Sequence, residues 1–194
     1  MATAVAVLFA LGFYGIMAWA LRRTQRLAGR TPLAFLRHGN VEMKISAVAM
    51  FIFPAALVVS TRRPDVAWLR PVVQNPSFLA LAAVLFAGGM LMQYSAMRTL
   101  GKAFRVGIDP EQRDALVREG PYRFLRHPIY AAFIAYYAGA WLLQPSVLFA
   151  IVSPVALLRI MYQANREERV LLERYGAAYA AYARTTSRFI PFVW

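Results

Sequence analysis

The sequence predicts an all-α integral membrane protein of about five transmembrane helices, the last two forming a helical hairpin, with a cytoplasmic helix after them. Three observations predict this class: the hydropathy, the placement of the apolar runs and the placement of the positive charges. Of the 194 residues, 60% are hydrophobic, and the mean hydropathy is +0.46. An ordinary globular chain is about half apolar, so this chain carries more apolar side chain than one small water-facing core can bury.

The apolar runs have lengths near the ~20 residues that a helix needs to cross a bilayer. They occupy residues 4–21, 45–60, 77–100 and 129–162. The second run contains Pro54, which a membrane helix tolerates where neighbouring groups satisfy the freed backbone carbonyl. The last run is too long for one span and is interrupted at Gln144-Pro145-Ser146. It therefore predicts a tight helical hairpin, which brings the number of spans to five.

The positive charges are distributed unevenly between the two sides of this arrangement. The formal net charge is +13. So basic a chain suggests either a nucleic-acid partner or an anionic membrane surface, and the high hydropathy favours the membrane. Of the 22 Lys and Arg residues, 19 fall in the first loop, the third loop and the tail, whereas only Arg62, Arg63 and Arg70 lie on the other side. Because cytoplasmic loops are enriched in Lys and Arg, we expect an outside amino terminus and a cytoplasmic carboxyl terminus.

The chain is expected to form one membrane-embedded domain over residues 1–194, with apolar spans in 1–94 and the chemistry in 95–194. The first run is interpreted as an anchor helix rather than a cleaved signal peptide, because Arg22 and Arg23 follow the run instead of preceding it. The chain has no cysteine, which excludes disulfides, thiolate metal ligands and cysteine nucleophiles. No metal site is predicted.

A first polar motif lies where the third loop re-enters the membrane, in the segment Gly-Pro-Tyr-Arg-Phe-Leu-Arg-His-Pro-Ile-Tyr of residues 120–130. Pro128 suits the first turn of a helix, where its missing N–H removes no helical hydrogen bond. Arg126 and His127 would then lie at the positive end of that helix, which favours anionic groups such as a carboxylate or a phosphate. The alternative is that Arg126 anchors to lipid phosphate, His127 caps the helix and Tyr130 belongs to an aromatic belt.

A second polar motif is the pair Glu167-Glu168 after the fifth span. On one continuous helix Glu168 would share a face with Tyr175 and Tyr179, and Glu167 would lie nearer Arg174. Charge pattern alone favours a solvated helix with glutamates and arginines side by side. A carboxylate on an aromatic face beside a membrane is nevertheless a good acceptor for ribose hydroxyls or for a cationic ligand.

These motifs together resemble the isoprenylcysteine carboxyl methyltransferase family, to which phospholipid N-methyltransferases and small-thiol methyltransferases are similar. The resemblance covers roughly residues 95–191. It rests on Gly-Pro-Tyr-x-x-x-Arg-His-Pro-x-Tyr from Gly120, the pair Glu167-Glu168, the segment Tyr175-Gly176-x-x-Tyr179-x-x-Tyr182, and the closing Arg188-Phe189-Ile190-Pro191.

The resemblance implies methyl transfer from S-adenosylmethionine in a membrane-embedded pocket that opens to the cytosol. It implies catalytic roles for Arg126 and His127. The implied cofactor-binding residues are Tyr122, His127, Pro128, Tyr130, Glu167 and Glu168. The chemistry agrees, since aromatic rings suit a sulfonium cation, carboxylates suit ribose hydroxyls and Arg126 suits the methionine carboxylate. No glycine-rich loop follows a strand, so a soluble dinucleotide-type fold is not expected.

The expected acceptor is a membrane lipid or another lipophilic or small molecule that presents a carboxylate, an amine or a thiol. A carboxylate needs no general base, whereas for an amine or a thiol His127 is the titratable group near neutral pH. We interpret His38 as a surface residue. The small residues of the fourth span, Ala131, Ala132, Ala135 and Gly139, are expected to leave room for the acceptor.

Two other functions stay open at this point. Membrane sterol reductases that use NADPH carry a related Arg-His-x-Asn-Tyr-x-Gly motif, but its Asn and Gly are both missing from residues 126–132 here. A non-catalytic membrane lipid-binding protein is the other possibility, and only the apolar spans favour it.

Overall fold

A computed structural model describes residues 1–29, 33, 41–73, 75–106 and 114–191 of the protein. Most of the described residues lie in helices, and they contain no strand but one isolated backbone bridge. The helices are α1 (Ala2–Ala28), α2 (Val41–Arg62), α3 (Pro76–Leu100), α4 (Pro128–Leu143), α5 (Val147–Tyr175) and α6 (Ala177–Thr185). His38 lies outside the described residues. The predicted all-α membrane class is confirmed.

Local sequence sets the ends of these helices. Asn75 caps α3 by accepting a hydrogen bond from the Ser77 N–H at 2.9 Å, and Pro76 occupies the first helical position. Helix α1 ends at Gly29, whose φ of 65° is the left-handed conformation that glycine adopts without a steric penalty. Pro145 separates α4 from α5, so the predicted hairpin break is confirmed.

Four of the helices, α1, α2, α3 and α5, are long and apolar enough to cross a membrane. The fourth predicted span, α4, is apolar but has only 16 residues. At 1.5 Å per residue it measures about 24 Å, less than the ~30 Å hydrocarbon thickness of a bilayer. Large aliphatic side chains cover the outer surface of the long helices, among them Leu8, Ile45, Leu91 and Ile151, which are 60–71% exposed. Such a surface suits contact with lipid, so the protein is a multi-pass membrane protein.

Aromatic side chains from four helices fill the centre of the bundle. Phe9 of α1 stacks on Phe86 of α3 with ring centroids 4.3 Å apart, and it also contacts Phe53 of α2 and Tyr136 of α4. All four rings are buried. Each large ring removes apolar area from water or lipid and fixes the distance between helices, so this cluster holds α1 to α4 as one unit.

Helices α3 and α4 approach each other closely at two glycines. A Cβ atom on Gly89 would lie 2.5 Å from the Tyr136 ring, and one on Gly139 would lie 3.0 Å from the Phe86 ring. Ala132 is only 1% exposed. The expectation that the small residues of α4 leave room for an acceptor is therefore wrong at these positions, because the α3–α4 contact already fills the space beside them.

Hydrogen bonds among the described residues join the helices at the two ends of the bundle. At one end, the Gln144 amide donates to the carbonyls of Ser60 and Leu69, and the Val72 N–H donates to the Pro145 carbonyl at 2.8 Å. This end carries the few positive charges. At the other end, Arg23 of α1 donates to the Arg98 carbonyl at 2.9 Å, and Arg159 of α5 reaches Ser46 of α2 at 2.8 Å.

The two ends give a topology prediction. Because the chain has no cysteine, single cysteines can be introduced cleanly. We expect Arg70→Cys to react with a membrane-impermeant maleimide in intact cells and Glu119→Cys to react only after permeabilisation, because loops rich in Lys and Arg favour the cytoplasmic side. The reverse labelling pattern would contradict the predicted orientation.

The glycine contacts give a stability prediction. Gly89→Ala should lower stability by about 1–3 kcal/mol, since its methyl group would overlap the Tyr136 ring. The matched control is Gly88→Ala, because a Cβ on Gly88 meets nothing within 4 Å and alanine is the better helix former. Thermal unfolding in detergent followed by circular dichroism should show a lower midpoint for Gly89→Ala alone. Equal midpoints for the two variants would disprove the close α3–α4 contact.

Candidate functional site

The first motif folds into a turn that aims its side chains at the amino end of α4. A 3-10 turn at Gly120–Arg123 reverses the chain, His127 is the residue before the helix, and Pro128 opens α4 as predicted. The backbone between them pairs with the carboxyl-terminal segment. The Arg126 N–H donates to the Ser187 carbonyl at 2.8 Å, and the His127 N–H donates to the Arg188 carbonyl at 3.2 Å. The chain after α6 is thereby fixed beside the motif.

Three cationic or potentially cationic side chains converge on one carboxylate oxygen. Glu168 Oε1 lies 3.1 Å from Arg126 Nε, 3.0 Å from His127 Nε2 and 3.2 Å from Arg188 Nε. Arg126 also donates through Nη1 to the carbonyls of Ala183 and Thr186, at the end of α6. Glu168 therefore joins α5, the turn before α4 and the carboxyl-terminal segment at a single point.

Glu167 belongs to a neighbouring group of contacts. Its Oε1 accepts hydrogen bonds from the Tyr130 hydroxyl and from Gln163 Nε2, the latter at 3.2 Å. Its Oε2 lies 3.7 Å from His127 Nδ1. The His127 ring therefore sits between the two carboxylates and also stacks on Tyr130 with centroids 5.4 Å apart.

Two buried tyrosines lie behind the site, Tyr182 on α6 and Tyr122 in the turn before α4. The Tyr182 hydroxyl donates to the Tyr122 carbonyl at 2.9 Å and to the Leu125 carbonyl at 3.3 Å. Burial raises the pKa of Tyr182 to about 12, so the hydroxyl keeps its proton and remains a donor. Burial, with smaller effects from Tyr182 and Glu167, also raises the pKa of Tyr122 well above its usual value. Tyr122 therefore keeps its hydroxyl proton.

The structure corrects one detail of the second motif. Gly176, with φ 51°, interrupts the helix, so Tyr179 belongs to α6 and does not continue the face of Glu168 on α5. The Glu167 carboxylate contacts Tyr130 of α4 and Gln163 of α5, two partners that the sequence pattern did not predict.

The structure brings the predicted site residues into one cluster: Arg126, His127, Tyr130, Glu167 and Glu168 are in direct contact, Pro128 begins the helix and Tyr122 lies buried alongside. Sequence reasoning did not assign roles to Arg188 or Gln163. Gln163 precedes Glu167 by one helical turn, which is a readable signal. Arg188 belongs to the closing Arg-Phe-Ile-Pro segment, but nothing in the sequence shows that this segment folds back onto Glu168.

A family model described as phospholipid methyltransferase matches residues 77–178, slightly more than half of the chain. The chain belongs to this family. The match covers α3, α4 and α5 and includes every predicted site residue, whereas α1, α2 and the segment that supplies Arg188 lie outside it.

The curated relatives of the chain include several protein-S-isoprenylcysteine O-methyltransferases. The A form from Arabidopsis thaliana is 28% identical over 113 residues, which is 57% of each chain. The B form is 30% identical over 54% of this chain and 55% of the relative. The Saccharomyces cerevisiae enzyme is 28% identical over 150 residues, 76% of this chain and 63% of the relative. The chain thus matches less than two thirds of the length of these relatives, and the resemblance to the isoprenylcysteine carboxyl methyltransferase family is confirmed.

The convergence of charges on Glu168 gives a stability prediction. Glu168→Ala should lower the stability by about 1–3 kcal/mol, because it removes the hydrogen-bond partner of Arg126 and His127 and the ion-pair partner of Arg188. Glu173→Ala is the matched control, since Glu173 is exposed one turn further along α5. We expect thermal unfolding in detergent to separate the two variants. If both unfold at the wild-type temperature, Glu168 does not hold the carboxyl-terminal segment in place.

Proposed function

We propose that the protein is a membrane methyltransferase that moves a methyl group from S-adenosylmethionine to a lipophilic or small acceptor. The observation that carries this proposal is the meeting of the Arg126–Tyr130 motif with the Glu167-Glu168 pair at the amino end of α4. Methyl transfer is also the activity named for the relatives. The reductase and lipid-binding alternatives have no comparable support.

The donor groups of the site fit S-adenosylmethionine. The side chains of Glu167 and Glu168 remain 27% and 25% exposed despite their contacts, so both carboxylates can accept further hydrogen bonds. Ribose hydroxyls and the amino group of the methionine part are suitable donors to them. The Tyr130 ring, whose hydroxyl donates to Glu167, offers an aromatic face to a sulfonium cation, and Tyr122 is the second aromatic residue that we propose for the cofactor site. When bound, the cofactor would supply an electrophilic methyl group.

Each residue of the cluster has a distinct part in this proposal. Glu167 and Glu168 bind the cofactor, and His127 holds the two carboxylates at a fixed separation through its two ring nitrogens. Arg126 and Arg188 balance the negative charge of the carboxylates and fix the carboxyl-terminal segment over the site. Such preorganisation lowers the cost of orienting the reactants, which is the main contribution a protein makes to an in-line displacement.

The acceptor that we propose is a lipophilic molecule whose carboxylate receives the methyl group. The relatives are named as O-methyltransferases of isoprenylcysteine, a compound whose methylated oxygen needs no general base. Apolar side chains lie directly beside the polar cluster: Ile160, Ala164 and Phe189 pack with Tyr130, Phe133, Ile134 and Tyr137. An apolar chain would find a favourable surface there next to the proposed cofactor carboxylates. Phospholipid amines and small thiols are the other acceptor classes to test.

Cofactor binding is the first test. We expect wild-type protein in detergent to bind S-adenosylmethionine in isothermal titration calorimetry, and Glu167→Ala, Glu168→Ala and His127→Ala to bind it about tenfold to a hundredfold more weakly. The reason is that each lost charge-assisted hydrogen bond is worth roughly 1.5–3 kcal/mol. The control is Glu173→Ala, whose affinity should match wild type.

The same titrations distinguish the alternatives. Binding of NADPH without binding of S-adenosylmethionine would replace the methyltransferase by a reductase. If the cofactor binds, transfer of a labelled methyl group to a prenylated N-acetylcysteine, a phosphatidylethanolamine and a small thiol then identifies the acceptor class.

A further inference from the structure

A row of polar side chains extends from Glu167 into the apolar part of α5. Arg159, Gln163 and Glu167 are spaced four residues apart and therefore lie on one face of the helix. Arg159 is the thirteenth residue of this apolar helix, where a charged side chain is costly unless it has a function or a partner. Neither the sequence motifs nor the cofactor site described above includes Arg159 or Gln163.

Both polar atoms of the Gln163 side-chain amide have hydrogen-bond partners. Its Oε1 accepts from Arg159 Nη1 and Nη2, both at 3.4 Å, and its Nε2 donates to Glu167 Oε1 at 3.2 Å. A guanidinium has only donors and a carboxylate only acceptors, so the two neighbours permit one orientation of the amide. Gln163 consequently presents its N–H to the same Glu167 oxygen that accepts the Tyr130 hydroxyl.

Arg159 is in turn fixed to a different helix. Its Nε donates to Ser46 Oγ of α2 at 2.8 Å, and its Nη2 lies 3.4 Å from Glu42 Oε1 in the first turn of α2. The guanidinium also lies over the Tyr162 ring, 5.2 Å from its centroid. The Arg159 side chain therefore has little conformational freedom, and it links the amino end of α2 to Gln163.

We infer that Gln163 is a positioning residue that fixes the Glu167 carboxylate for cofactor binding, with Arg159 and the amino end of α2 as its anchor. The inference rests on the proposed function, because it takes Glu167 as a cofactor ligand. Without Gln163, the Glu167 side chain keeps only the Tyr130 hydroxyl on Oε1 and gains rotational freedom. The entropy of ordering the carboxylate is then paid at binding, and affinity falls.

The contact between Arg159 and α2 also implies a supporting role for α2, which lies outside the part of the chain that the family model covers. Helix α2 contributes no residue to the cofactor cluster. Through Glu42, Ser46 and Arg159 it nevertheless supports the side chain that holds Glu167. Mutations in the first turn of α2 should therefore change cofactor affinity although they lie away from the cluster.

The test compares substitutions at Gln163 by titration with S-adenosylmethionine in detergent. Gln163→Met keeps the length of the side chain without its polar atoms, and it should weaken binding about threefold to tenfold, as expected for one hydrogen bond. Gln163→Glu places a second carboxylate against Glu167 and should weaken binding more than methionine does. Gln25→Met is the matched control, because Gln25 is an exposed residue of α1.

A double-mutant cycle separates positioning from general damage. In the Glu167→Ala background, Gln163→Met should have no further effect on affinity, since the carboxylate it positions is gone. Additive losses, or wild-type affinity in Gln163→Met, would overturn the inference while leaving the proposed function intact. A wild-type protein that binds no S-adenosylmethionine would overturn both. Thermal midpoints equal to wild type exclude unfolding as the cause, and if Gln163→Met fails to fold, the affinity of Gln163→Glu decides.

Discussion

The candidate site depends on one carboxylate, Glu168, which gathers Arg126, His127 and Arg188 around a single oxygen. With Glu168 on α5, the contacts join three separate segments: α5, the turn before α4 that supplies Arg126 and His127, and the chain after α6 that supplies Arg188. Removing Glu168 would leave the partly buried guanidinium groups without their shared counter-charge, which costs more than the net value of the intact contact. The cluster therefore fixes the relative positions of these segments, and with them the geometry of the neighbouring Glu167, Tyr130 and Tyr122.

The position of this cluster also suits the proposed function. It lies at the amino end of α4, where the unpaired backbone N–H groups of the first turn favour negative charge. On one side are the basic loops, and on the other is the apolar surface formed by Ile160, Phe189 and their neighbours. A charged cofactor and a lipophilic acceptor can thus meet at the same point, each approaching through an environment that its own chemistry favours.

Sequence alone predicted the class, the helices and the residues that the structure brings together in the candidate cluster, because each leaves a local signal. Hydropathy and charge placement marked the spans, and Pro128 marked the start of α4. The side-chain contacts across the bundle could not be predicted in the same way. Nothing in the sequence shows that Arg188 returns to Glu168, or that Gly89 and Gly139 are filled by aromatic rings. The helix break at Gly176 leaves a partial signal, because a glycine is visible in the sequence but its positive φ is not.

The most direct test of the account is to locate the bound methyl donor on the chain. S-adenosylmethionine with a tritiated methyl group can be cross-linked by ultraviolet light, and the labelled peptides can then be mapped by mass spectrometry. The account predicts saturable label on the segments of residues 122–130 or 160–169, competed away by excess S-adenosylhomocysteine. Competable label confined to α1 and α2, with none on these two segments, would contradict it.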